Sequence, residues 1–105
     1  MKLSPREIEK IMIYSLASVA QSRKEKGIKL NYPEAVSIIA STAMESAREG
    51  NDLETVMNKS RDVLTKDDVM EGVADLIPQI QVEAIFTDGS RLVTVHDPIR
   101  LEREK

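Results

Sequence analysis

The chain reads as an α+β domain, mainly helical, with about four helices followed by a C-terminal antiparallel β-hairpin. Three observations predict this. Apolar residues recur at helical spacing from Pro5 to Gly72, in segments opened by capping residues and closed by glycine. From Gln79 the period falls to two. Asp88-Gly89 then separates two alternating runs, as in a tight hairpin. A length of 105 residues fits one domain, and 41% apolar with 31% charged residues fits a packed globular chain. The only aromatic residues are Tyr14, Tyr32 and Phe86, so the core must come from Ile, Leu, Val, Met and Ala.

The first helix opens at Ser4-Pro5-Arg6-Glu7. Ser4 suits the cap, Pro5 the first helical position, and Glu7 the returning carboxylate of a capping box. Ile8, Ile11, Met12, Ser15, Leu16 and Val19 follow as a helical stripe. Arg23, Lys24 and Lys26 lie at the negative end of the helix dipole, and Gly27 supplies the stop. Ile28-Lys29-Leu30 is a short extended linker.

The second helix starts within Asn31-Tyr32-Pro33-Glu34 and ends near Arg48 and Gly50. Two registers compete. With Asn31 as cap, Glu34 completes a capping box. With Tyr32 as cap, Pro33 takes the first helical position and the pre-proline residue stays out of the helix, which favours this register. Ala35, Val36, Ile38, Ile39, Ala40, Ala43, Met44 and Ala47 cover most of the circumference, as in a buried helix. A central core helix explains this first, and cover by another subunit is compatible with it.

Asn51 or Asp52 caps a third helix, with Leu53, Val56 and Met57 on one face. Thr65-Lys66-Asp67-Asp68 opens a short fourth helix that carries Val69 and Met70 and ends at Gly72. Beyond Pro78, Ile80, Val82, Ala84 and Phe86 alternate with Gln79, Gln81, Glu83 and Ile85. With Asp88 and Gly89 as the turn, Val93 lies opposite Ala84, Val95 opposite Val82, Leu92 opposite Ile85, and His96 opposite Gln81. One face packs on the helices. The other, with Ile85 and Leu92, faces outward, and the two strand edges are free to take partner strands.

The chemical inventory is small. A net charge of −3 argues against a chain that coats nucleic acid. The absence of cysteine removes disulfides and zinc–thiolate sites, which fits a reducing cytoplasm. The N-terminus lacks the apolar stretch of a signal peptide, and no apolar run is long enough to span a bilayer. His96 is the only histidine, and Asp97, its neighbour along a strand, points to the other face. One histidine makes neither a triad nor a metal site. Asp67, Asp68 and Glu71 suit a helix start through its dipole. No catalytic, cofactor or metal residues are assigned. Two minor readings stand beside this one: a small helical nucleic-acid-binding regulator using Arg23, Lys24, Lys26 and Lys29, and an acid–base enzyme using His96.

The ordered segments KLSPREIEK, GIKLNYPEAV, VLTKDDVMEGVADLIP and QVEAIFTDGSRLVTVHDPI resemble the gamma subunit of bacterial ureases over residues 1 to 99. The resemblance implies a non-catalytic structural subunit of a complex that hydrolyses urea to ammonia and carbamate. It implies a dinickel site in the partner alpha subunit and no cofactor in this chain. It also implies alpha and beta subunits as partners, in units that repeat as a trimer, and a separate gamma chain with a charged tail from Arg100 to Lys105. Contacts with those partners are expected from the Asn31-Tyr32-Pro33 corner, from Ile39 on the second helix, and from Ile85, Leu92 and His96 on the outer hairpin face.

Overall fold

A computed structural model describes residues 2–100 and 102. The element order is α1 (Pro5–Glu25), α2 (Tyr32–Arg48), α3 (Leu53–Asp62), two short 3₁₀ turns (Lys66–Asp68 and Ala74–Leu76), β1 (Gln79–Phe86) and β2 (Gly89–His96). The α+β, mainly helical class with a C-terminal hairpin is the one the periodicities predict. The expected fourth helix is only the first 3₁₀ turn. Val69 leaves it in an extended conformation and forms a parallel bridge with Leu30, so this segment is spent on pinning the linker. Leu30 N–H donates to Asp68 O at 2.9 Å, and Met70 N–H to Leu30 O at 2.9 Å.

Local capping explains where the helices begin. Ser4 Oγ accepts from Glu7 N–H at 3.1 Å, and Glu7 Oε1 accepts from Ser4 N–H at 2.9 Å. At α2 the same box forms on Asn31, not Tyr32. Asn31 Oδ1 accepts from Glu34 N–H at 3.0 Å, and Glu34 Oε1 from Asn31 N–H at 2.9 Å. The preferred Tyr32 register is thereby corrected. Satisfying two orphan donors at once outweighs the pre-proline bias, and Tyr32 becomes the first helical residue with Pro33 second. Asp52 caps α3 through Thr55 N–H at 2.9 Å. Helix α1 closes at Gly27, whose φ of +79° is the left-handed stop, with Ile28 N–H donating to Arg23 O at 3.0 Å.

Helix α2 is the centre of the molecule, with α1, α3 and β1 packed around it and β2 against α3. Ten of its residues are buried, from Glu34 to Ala47. The core adds Leu30, Val56, Leu64, Val69, Ile77 and the inner hairpin face of Ile80, Val82, Ala84, Phe86, Val93 and Val95. After β2 the chain turns through Asp97, whose N–H donates to Pro78 O at 2.8 Å, and buries Pro98 and Ile99. Arg100 lies 3.9 Å from Asp62 on α3. Of the charged tail, Leu101 and residues 103–105 lie outside the described residues.

The hairpin register differs from the expected one by two residues. Val93 pairs with Val82, Val95 with Ile80, Leu92 with Glu83 and His96 with Gln79. The turn residues are Thr87-Asp88, and Gly89 already belongs to β2. A turn on Asp88-Gly89 would need a left-handed Asp88. The observed turn puts positive φ, +125°, on Gly89 alone. Asp88 accepts a charge-assisted bond from Arg91, whose guanidinium stands 5.9 Å from the Phe86 ring centroid. A shift of two preserves which side chains share a face.

Candidate functional site

Helix α1 carries two faces with opposite fates. Ile13, Tyr14, Ala17 and Ala20 pack toward α2, and the small Ala17 and Ala20 allow close approach. The stripe Ile8, Ile11, Met12 and Val19 lies on the opposite side of the helix and is exposed, Met12 at 65%. An apolar stripe in solvent along a 21-residue helix is a candidate contact surface. The stripe is plain in the sequence. The second one, Ile13-Ala17-Ala20, is the signal that shows α1 already has a different core face.

The exposed stripe runs into an open apolar groove of about 360 Å³ lined by Met12, Ile13, Leu16, Tyr32, Pro33, Val36 and Ser37. Of the expected corner residues, Tyr32 and Pro33 line this groove, Tyr32 being 48% exposed, while Asn31 is half-buried and serves as the cap. The corner is held by Glu34, which is buried and accepts from both Asn31 N–H and the Arg23 guanidinium at the end of α1. The Asn31 N–H bond, and secondarily Arg23, hold the Glu34 carboxyl below its ordinary pKa against the opposing effect of burial. A second tie joins the same helices. Tyr14 donates its hydroxyl to Glu45 Oε1 at 2.8 Å, and burial together with Glu45 pushes the phenol up to about 12.

The outer hairpin face presents Ile85, 48% exposed, and Leu92, 62% exposed, as diagonal neighbours two rungs apart. His96 is exposed on the same face, at the far end of the ladder opposite Gln79. Arg6 and Lys10 of α1 reach Glu83 on this face at 3.4 and 3.8 Å. Ile39 is the exception among the expected contact residues. It is 0% exposed and sits in the chain's own core. Helix α2 is apolar nearly all round because three elements of this chain surround it, so Ile39 presents no surface to a partner.

Among the described residues no three His, Cys, Asp or Glu side chains come together to hold a metal ion. A nickel site needs several such donors on one centre, and the described side chains do not bring them together. The basic cluster is also divided. Arg23 pairs with Glu34, and the Lys29 ammonium donates to Asp67 O. Among the described residues, no helix is long and apolar enough to cross a membrane.

Residues 1–99 match the family described as "Urease, gamma subunit". The chain is 70% identical to the urease subunit gamma of Edwardsiella ictaluri and 72% identical to that of Photorhabdus laumondii. It is 71% identical to that of Yersinia enterocolitica. Each alignment covers 95% of this chain and 100% of the relative.

Proposed function

The chain belongs to the urease gamma-subunit family, and on that premise we propose that it acts as a non-catalytic, architectural subunit. It is a component of urease, a urea amidohydrolase and a nickel enzyme, and its partners are other urease subunits. The nucleic-acid-binding alternative has no support from the family. In the proposed reading the dinickel site belongs to the alpha subunit, and this chain supplies no ligand. Alpha and beta chains are its partners, in αβγ units that repeat as a trimer in the cytoplasm. In the same reading, residues 1–99 are the gamma-like domain and Arg100 to Lys105 a charged C-terminal tail.

One observation carries the architectural reading: the exposed apolar stripe of α1 opening into the Tyr32–Pro33 groove. Such a surface gains by burial at about 25 cal/mol per Å² of apolar area removed from water, less the cost of association. Ile85, Leu92 and His96 on the hairpin, and Tyr32 and Pro33 at the corner, are the further proposed contacts, with Asn31 shaping the corner from its half-buried position. The mechanism follows from placement. The chain holds partner surfaces at fixed angles through a rigid three-helix frame, and no proton or metal moves on its own side chains. The test is urea hydrolysis by the purified chain in the presence of nickel, beside the same chain co-expressed with alpha and beta subunits. Ammonia release is expected only from the co-expressed complex, and release by the isolated chain would contradict the proposal.

A further inference from the structure

We draw no further inference here: the strongest candidate, the apolar groove between α1 and α2 with the exposed stripe of α1 that runs into it, belongs to the docking surface already described, and nothing in the structure shows which partner covers it.

Discussion

Glu34 closes a capping box and receives the guanidinium of Arg23 while buried, so one carboxylate fixes both the start of α2 and the end of α1. Removing it leaves the Asn31 N–H without its carboxylate acceptor, at a cost of about 1–3 kcal/mol, while the half-exposed Arg23 turns to water. Because its folded pKa is lowered, its stabilisation is complete above the ordinary carboxyl value of 4.5 and is lost as pH falls through the lower folded value. Urea denaturation should therefore give a midpoint that drops below that pH, with a shallower drop in Glu34→Gln. An unchanged pH profile in that variant would contradict the role. Ile39 argues a different point. Ile39→Asp buries an unpaired charge in the core, at a cost above about 4 kcal/mol against a typical total of about 5–15 kcal/mol. A steep fall in the urea-denaturation midpoint is expected, and a variant of unchanged stability would contradict the core placement. Residues of this kind were unevenly legible. The Ser4–Glu7 box follows from four letters. At Asn31-Tyr32-Pro33-Glu34 two capping patterns overlap in the same four letters, and only the reciprocal hydrogen bonds decide between them.

Among the elements, α1 and the hairpin show what periodicity conveys and what it omits. The helical period of Ile8, Ile11, Met12 and Val19 announces a helix but does not say which side meets the core. The smaller Ala17 and Ala20 do, because close approach to α2 needs small side chains. The hairpin's alternation assigns inner and outer faces correctly, yet it is blind to a shift of two residues. The turn resolves the shift by placing positive φ on Gly89. Gly89→Ala forces a side chain into that region and should cost more than about 1 kcal/mol. That corresponds to roughly 4–8 °C in Tm per kcal/mol for a domain of this size, readable by thermal melting. An unshifted Tm would contradict the observed turn. The missing fourth helix has the same kind of cause. Thr65 to Asp68 carries a helix-start pattern, but Val69 is drawn into a bridge with Leu30 after a single 3₁₀ turn.

For the molecule as a whole, the helical core and the hairpin were legible because burial leaves a periodic trace. The residues expected to face a partner divide on exposure. Tyr32, Ile85 and Leu92 do lie exposed, whereas Ile39 does not, because an all-round apolar helix looks the same whether its cover comes from its own chain or from another. In the proposed reading this chain contributes architecture to urease through the outer face of α1. The most direct measurement is native mass and urease activity of the complex purified after co-expressing alpha and beta subunits with Met12→Asp or Ile11→Asp chains. Both positions are exposed, so each isolated variant should keep its circular dichroism and its stability within about 0.5 kcal/mol. Loss of this chain from the purified complex and a matching fall in urease activity are expected. A complex of full native mass and full activity from both variants would contradict that reading.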